Sequence, residues 1–228
     1  MSIQRALVIG GASGVGRATA EALTATGADV IASGRERDAT DPAQVEALLA
    51  EADPDLVVVA AGTRPRMASI EDQTWESFSA PWNVDVRIAF EVGRAALARP
   101  LRPGSTVVIV SSGAGIHGSP LSGGYAGAKR TQMFVAAYLH RAAEARGLGI
   151  RFVALAPRQL IAGTRIGEAA AVAYGAEIGE SADGYMRRRF PVALDAAGVA
   201  RSILTIADGA EHRDATLLTV TGAGLEVM

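Results

Sequence analysis

Residues 6–26 read ALVIGGASGVGRATAEALTAT, and this stretch decides the fold. An apolar run over 6–9 has the composition of a buried strand, and a helix pattern begins at Gly14. In the loop between them, we expect Gly10 to permit the turn, Gly14 to let phosphates approach, and Gly16 to let the helix pack closely on the strand. A strand, a glycine loop and a helix in this order present backbone N–H groups to a pyrophosphate.

The same alternation continues along the chain. Continuous apolar runs are typical of strands covered on both faces, and they lie at 6–9, 30–33, 56–60, 106–111, 150–154 and 217–220. Helix patterns lie at 14–26, 42–51, 74–99, 125–146 and 196–208. The alternation predicts an α/β fold, a doubly wound parallel sheet of the Rossmann type, as a single domain over residues 1–228. Residues 158–195 do not follow this alternation of strands and helices. We expect them to form an inserted helical segment, called the excursion below, that shapes the substrate pocket.

Composition narrows the class of protein. The 228 residues carry a formal net charge of -2, which argues against nucleic acid or an anionic membrane as the main partner. Because the chain has no cysteine, disulfides, thiolate metal sites and cysteine nucleophiles are excluded. The three histidines have no metal-ligand spacing, so no metal site is expected. No apolar stretch approaches the roughly 20 residues that span a bilayer, and a cytoplasmic protein is expected.

The end of the second predicted strand bears on which dinucleotide would bind. Strand 30–33 ends at Ser33, and neither Asp nor Glu stands at the strand end; Arg35 follows instead, with Arg37 nearby. An acidic residue there would bind the ribose hydroxyls of NAD, whereas an arginine accommodates the 2′-phosphate of NADP. The sequence therefore favours NADP(H). NAD(H) stays an alternative, since Arg35 is also compatible with a solvated surface side chain.

Polar residues that suit acid–base chemistry follow the fourth predicted strand. Tyr125 and Lys129 are spaced i and i+4 on a predicted helix, so the phenol and the ammonium share one face. A nearby cation favours the phenolate, and lysine therefore suits a tyrosine that exchanges protons. Ser112 follows strand 106–111, and ligands bind at the carboxyl ends of strands in an open parallel sheet.

Together these elements resemble the short-chain dehydrogenase/reductase family over essentially the whole chain. The resemblance implies an oxidoreductase that transfers hydride between NADP(H) and a carbonyl or alcohol substrate. It rests on the order and separation of Gly10, Gly14-Val15-Gly16, Asp38-Ala39-Thr40-Asp41, Ala60-Ala61-Gly62, Ser112 thirteen residues before Tyr125, Lys129 four residues after it, and Pro157.

The resemblance also implies a role for each matching residue. Tyr125 would exchange a proton with the carbonyl oxygen, Lys129 would favour the phenolate and bind the nicotinamide ribose, and Ser112 would orient the carbonyl. The remaining cofactor contacts would come from the loop residues Gly10, Ser13, Gly14, Val15 and Gly16, from Ser33 and Arg35, from Asp38 and Ala39 beside the adenine, from Ala61 and Gly62, and from Pro157 and Leu160 beside the nicotinamide.

One departure from the family concerns the catalytic residues. The family usually has asparagine where Asp85 stands, and that asparagine holds a water in a proton relay to the lysine. Two interpretations are open: Asp85 holds the water in the same way, or its carboxylate pairs directly with Lys129 and weakens the effect of the lysine on Tyr125. Asn83 is a less suitable substitute, because a shift of two residues changes the helix face.

A second departure is geometric. Only two residues separate Arg35 from Asp38, whereas a helix and a strand separate these positions in the family. A three-residue step spans at most about 10 Å, and a crossover needs about a dozen residues. We therefore predict that the usual second helix and third strand are missing, that the sheet has six strands, and that strand 30–33 lies at its edge. The adenine side of the site would then be more open.

The resemblance extends to partners. The family's counterparts of helices 74–99 and 125–146 form a dimer interface, so a homodimer or homotetramer is expected beside the small-molecule substrate. A rival hypothesis keeps the fold and the NADP(H) site but assigns no turnover: the chain would be a sensor or an interaction protein. The degraded motifs and Asp85 favour this rival, whereas Ser112, Tyr125 and Lys129 favour an enzyme.

Overall fold

The computed structural model describes residues 3–209 and 212–228. Within them the strands are β1 Arg5–Ile9, β2 Asp29–Ser33, β3 Leu56–Val59, β4 Thr106–Val110, β5 Arg151–Pro157, β6 Ile161–Ala162, β7 Leu194–Asp195, β8 Leu217–Thr221 and β9 Gly224–Val227. The α-helices are α1 Gly14–Ala25, α2 Pro42–Ala52, α3 Trp75–Pro81, α4 Arg87–Ala98, α5 Ala114–His117, α6 Gly123–Ala145, α7 Arg165–Glu177, α8 Ala182–Arg189 and α9 Ala196–Asp208.

The main sheet has the strand order β2-β1-β3-β4-β5-β8-β9. All pairs from β2 to β8 are parallel, which confirms the predicted doubly wound parallel sheet. The strand predicted at 30–33 lies at the edge, as expected. Between its last residue, Ser33, and the start of α2 at Pro42, the chain forms neither helix nor strand. The chain crosses directly to the other side of β1 through α2, so the shortened crossover is confirmed.

The predicted count of six strands is wrong for the part of the chain that the structure describes, because β9 adds a seventh. It pairs antiparallel with β8 across a turn at Gly222 and Ala223. The residues of β9 are mostly exposed, and they therefore lack the continuous apolar run that marks the six predicted strands. A two-residue turn of small residues joins the two strands as a hairpin.

Alternate residues of the central strands pack into two separate apolar layers. In β1, Leu7 and Ile9 join one cluster with residues of α2, α4 and α6, whereas Ala6 and Val8 join the other with residues of α1 and α9. Both faces of the sheet are therefore covered by helices. This burial explains why the strands read as continuous apolar runs rather than as alternating ones.

The helix predicted at 74–99 is interrupted. Helix α3 begins after Thr74, whose hydroxyl accepts the Ser77 N–H at 3.2 Å, and ends at Pro81. A π-helical segment, Trp82–Val86, then leads into α4. Proline has no N–H to donate within a helix, so regular hydrogen bonding is disturbed at this point. The π segment contains Asp85, and local widening of this kind is frequent at functional sites.

The excursion after β5 contains two helices. Strands β6 and β7 pair as a small parallel sheet of two residues each, and α7 and α8 lie between them in the chain. Thr164 caps α7 by accepting the Gly167 N–H at 3.1 Å. In residues 3–209 and 212–228, no helix combines the length and the apolar character that crossing a membrane requires.

Candidate active site

The glycine loop is anchored to the edge strand β2. The N–H groups of Gly10 and Gly11 both donate to the carbonyl oxygen of Ser33, at 2.8 and 2.9 Å. Gly10 has a φ of +91°, which favours glycine. A Cβ on Gly16 would lie 2.2 Å from the Gly10 carbonyl oxygen, so the first turn of α1 packs directly on the loop. The roles expected for Gly10 and Gly16 agree with this geometry.

The outer side of the loop fits an anionic group. Ser13 is the N-cap of α1, and its hydroxyl makes no capping hydrogen bond. The first N–H groups of a helix have no partner within the helix, and they attract phosphates. The space beside Gly14 is open except for the Thr164 methyl group, which would be 3.6 Å from an added Cβ. These residues therefore suit the pyrophosphate of a dinucleotide.

The end of β2 carries charges of both signs. Ser33 is buried, and its hydroxyl has no hydrogen-bond partner among the described residues, so its observed contribution is the carbonyl that holds the loop. Arg35 is exposed. The Glu36 carboxylate folds back and accepts the Gly34 N–H at 2.6 Å, and this hydrogen bond lowers the pKa of Glu36 below its ordinary value. The sequence analysis missed Glu36, although it directly follows Arg35.

Asp38 organises the turn that stands in place of the family's usual second helix and third strand. Its carboxylate accepts the Thr40 hydroxyl at 2.7 Å and the Thr40 N–H at 2.9 Å, and these bonds lower the pKa of Asp38. The Asp38 N–H donates to the Gln44 side chain at 2.8 Å. Ala39 is buried in the core beside α2. The expected adenine contacts of Asp38 and Ala39 stay predictions.

A buried ion pair joins the π segment to α6. The Lys129 ammonium lies 3.1 Å from the Asp85 carboxylate, and the two side chains are 7% and 1% exposed. Of the two interpretations of Asp85, the structure agrees with the one in which the carboxylate pairs directly with Lys129. Asn83 is exposed, in agreement with the expectation that it would not substitute.

Two further acceptors fix the lysine. Its Nζ donates to the Gln132 side chain at 3.0 Å and to the Val110 carbonyl at 3.3 Å. Gln132 also donates to the Asp85 carbonyl at 2.9 Å, and it is fully buried. Asp85 adds an ion pair rather than a third hydrogen bond, because its Oδ2, 3.1 Å from Nζ, has no hydrogen-bond partner among the described residues. The sequence analysis missed Gln132; its position three residues after Lys129 on the same helix was the available signal.

The surroundings of Lys129 affect its protonation in opposite directions. Burial disfavours the ammonium, whereas the Asp85 carboxylate and the Tyr125 phenol favour it. The favourable charges prevail, and the pKa of Lys129 is raised above its ordinary value. A lysine with a raised pKa stays cationic up to strongly alkaline pH.

The predicted catalytic residues lie on neighbouring elements. The Lys129 Nζ is 5.3 Å from the centroid of the half-buried Tyr125 ring. Ser111, at the end of β4, donates its hydroxyl to the Lys129 carbonyl at 2.8 Å, which holds this strand end against α6. The next residue, Ser112, is half-buried, and its hydroxyl accepts the Ala114 N–H at 3.2 Å. The structure thus brings Lys129 to Tyr125 and to the strand end that carries Ser112.

The loop after β3 connects the lysine pair to the glycine loop. Thr63 donates its N–H to the Asp85 carboxylate at 2.7 Å. A Cβ on Gly62 would lie 2.7 Å from the same carboxylate, and a Cβ on Gly10 would lie 2.5 Å from the Ala61 nitrogen. Ala61 and Gly62 therefore lie between the two halves of the candidate site, and their cofactor contacts stay predictions.

The end of β5 completes the edge of the site. Pro157 is buried, and its carbonyl accepts the Gly113 N–H at 2.6 Å, so it lies beside the loop that follows Ser112. Leu160 is half-buried. Arg158, which follows Pro157, forms an ion pair with Glu226 on β9, at 3.1 Å.

Comparisons with known proteins identify the fold and the family of the chain. The family model described as enoyl-(acyl carrier protein) reductase matches residues 35–177, more than half of the chain. No curated protein matches the chain. A levodione reductase structure covers 96% of this chain, with 96% of its own chain covered, at 23% identity and a TM-score of 0.76.

Two further structures are similar. Sorbitol-6-phosphate 2-dehydrogenase from Erwinia amylovora has 22% identity and a TM-score of 0.81, with 95% of this chain and 98% of that chain covered. A short chain dehydrogenase from Burkholderia cenocepacia in complex with NADP has 24% identity and a TM-score of 0.75, with 96% of each chain covered. These likenesses show the fold, and the family model shows the family: the chain belongs to the short-chain dehydrogenases/reductases.

Proposed function

We propose that the protein is an NADP(H)-dependent oxidoreductase that interconverts a carbonyl compound and its alcohol through Ser112, Tyr125 and Lys129. The observation that carries the proposal is the buried Lys129 ammonium, 5.3 Å from the Tyr125 ring centroid and held at the end of β4. Keeping a cation in the interior beside a phenol suits proton transfer. The adjoining glycine loop supplies a place for the dinucleotide.

The proposed chemistry divides among the residues. A bound nicotinamide supplies hydride to the carbonyl carbon, or takes it from the alcohol. Tyr125 donates its proton to the carbonyl oxygen during reduction and accepts one during oxidation. The Lys129 cation stabilises the phenolate that results, and the Ser112 hydroxyl donates to the carbonyl oxygen to orient it. For Lys129 to bind the nicotinamide ribose as well, it exchanges one of its three present partners.

One observation favours the rival hypothesis of a binding protein without turnover. The Asp85 carboxylate, 3.1 Å from the lysine nitrogen, offsets part of the field that Lys129 exerts on the phenol of Tyr125. A weaker field stabilises the phenolate less. The two hypotheses share the cofactor site and differ in whether the phenol transfers a proton.

We expect Tyr125→Phe to lower kcat by about 100-fold or more, because a positioned general acid contributes that much. Binding of NADPH should change little, since the ring remains. The measurement is the absorbance of NADPH with a panel of ketones, aldehydes and quinones. Tyr138→Phe is the matched control, because Tyr138 is an exposed phenol on the same helix. A wild-type protein that binds NADPH and reduces nothing in the panel favours the rival.

We expect Asp85→Asn to move the alkaline limit of activity to lower pH. Without the carboxylate, burial acts on Lys129 with less opposition, and the pKa that Asp85 raises falls. The cation is then lost as the pH rises through the lower value, whereas the wild-type lysine stays charged. The pH profile of kcat/KM checks this, with the exposed Asp29→Asn as control. An unchanged limit contradicts the role given to Asp85.

The cofactor preference for NADP(H) is a proposal supported by Arg35. Its side chain is exposed, and it makes no ion pair among the residues described, so it is free to pair with a 2′-phosphate. Glu36 opposes this preference, because its carboxylate lies on the Gly34 N–H beside Arg35 and repels a phosphate. NAD(H) is therefore the alternative cofactor.

We expect Arg35→Ala to weaken NADPH binding by about tenfold, which equals about 1.4 kcal/mol, and to leave NADH binding unchanged. Glu36→Gln should strengthen NADPH binding, because it removes the opposing charge. Titration of both cofactors against each variant measures the preference. Arg141→Ala, at an exposed position near the end of α6, controls for the loss of one positive charge. Equal weakening of both cofactors by Arg35→Ala contradicts the assignment.

A homodimer or homotetramer is proposed as the assembly. On α6, Phe134 and Tyr138 are 62% and 59% exposed, and their rings stack with centroids 6.0 Å apart. Phe90 on α4 is 50% exposed. Exposed aromatic side chains of this kind are enriched at protein interfaces. A second copy of the chain, using the same two helices, is the partner that the family resemblance supports.

We expect the wild-type protein to sediment at a multiple of its 23.4 kDa chain mass. The double variant Phe134→Glu/Tyr138→Glu should sediment as a monomer, because burying two carboxylates opposes association. Val172→Glu, at a residue of α7 that is 61% exposed, should leave the assembly intact. A wild-type mass equal to one chain contradicts the proposal.

A further inference from the structure

Gln132 connects the two members of the buried ion pair. It is 0% exposed, and it lies on α6 three residues after Lys129. Its Oε1 accepts from the Lys129 Nζ at 3.0 Å, and its Nε2 donates to the Asp85 carbonyl at 2.9 Å. The opposite orientation of the carboxamide would place its NH2 group against the ammonium, and two donors cannot form a hydrogen bond. The two contacts therefore determine the orientation of this side chain.

The hydrogen bonds of Lys129 go to neutral acceptors, although a carboxylate is adjacent. The second acceptor is the Val110 carbonyl, at 3.3 Å. The Asp85 Oδ2 lies 3.1 Å from Nζ, but it makes no hydrogen bond with the residues that the structure describes. Its partner oxygen Oδ1 accepts the Thr63 N–H at 2.7 Å. Gln132 and Val110 thus compete with Oδ2 for the N–H groups of the ammonium.

This competition affects the charge that Tyr125 experiences. The ammonium acts on the phenol from 5.3 Å, measured from Nζ to the ring centroid, and the Asp85 carboxylate offsets part of that field. A hydrogen bond between two ions is stronger than one to a neutral acceptor. Without an acceptor at position 132, Nζ would therefore turn to Oδ2, and the carboxylate would neutralise more of the cation.

We propose that Gln132 is a positioning residue, which keeps the Lys129 ammonium from hydrogen-bonding the Asp85 carboxylate and so keeps its charge available to Tyr125. The inference rests on the proposed function. A carboxamide suits this role, because it is neutral and both accepts from the ammonium and donates to the backbone of Asp85. Asp85 then retains the cation in the interior, and Gln132 limits how far Asp85 neutralises it.

The first test uses Gln132→Met, which keeps a side chain of similar length and removes both contacts. We expect kcat to fall about tenfold, the loss expected for one hydrogen bond to a charged group. The KM of the carbonyl substrate should not change, since Gln132 is fully buried. In a crystal structure of the variant, Nζ should donate to Oδ2. Because Lys129 is the only lysine of the chain, an isotope label on lysine nitrogen gives one ammonium NMR signal, and this signal should shift.

The second test uses Gln132→Glu, which keeps an acceptor for Lys129 but adds a second carboxylate. We expect kcat to fall here as well, because two carboxylates offset more of the field on Tyr125. If position 132 needed only an acceptor, this variant would have wild-type activity. Thr219→Val is the matched control, because it removes a fully buried hydroxyl from β8, outside the site. It should change neither kcat nor the lysine signal.

The outcomes separate the inference from the proposed function. An unchanged kcat in Gln132→Met, or wild-type activity in Gln132→Glu, overturns the inference and leaves the proposed function standing. A structure of Gln132→Met in which Nζ keeps its place also overturns it. A wild-type protein that reduces nothing removes the proposed function itself. The lysine signal and the position of Nζ in Gln132→Met then still decide whether Gln132 places the ammonium.

Discussion

The ion pair between Lys129 and Asp85 is the constraint on which the candidate site depends. Transferring two charges into the interior costs several kcal/mol for each ion, and removing one partner of such a pair typically destabilises a protein by about 3–5 kcal/mol. The surrounding polar groups offset this cost, because the Thr63 N–H donates to the Asp85 carboxylate, and Gln132 and Val110 accept from Lys129. The pair is stable only while all of these groups keep their places.

That requirement links four parts of the fold. The carboxylate comes from the π segment, the ammonium and its amide partner come from α6, and the remaining contacts come from the loop after β3 and from the end of β4. Gly62 leaves room for the Asp85 carboxylate, because it has no side chain. Asp85 lies in the π segment and is buried. The carboxyl ends of the central strands are thereby fixed relative to α6, which also carries Tyr125. A displacement of the π segment or of α6 would leave a charge unpaired, and a displacement of either of the other two parts would remove a hydrogen bond to the pair.

The sequence was sufficient to predict the parallel sheet, because strands that are buried on both faces are continuous apolar runs. It also specified the edge position of β2, because chain length alone forbids a crossover between Arg35 and Asp38. It did not specify β9, whose residues are exposed, or the partners of Lys129. The geometry of Gln132 and Glu36 depends on side-chain directions that residue spacing does not encode. Asp85 was recognised as unusual, but only the packed helix showed which of its two roles the protein has.

The shortened crossover and the excursion affect opposite sides of the same cofactor site. Without the usual second helix and third strand, the adenine side is bordered by the turn over residues 34–41, where Asp38 is engaged with Thr40. Fewer protein groups are therefore available to enclose a group that binds beside this turn. On the other side, the excursion reaches the start of α1, where the Arg165 guanidinium donates to the Ser13 hydroxyl at 3.3 Å. The excursion thus brings a positive charge to the loop whose small residues leave the start of α1 open.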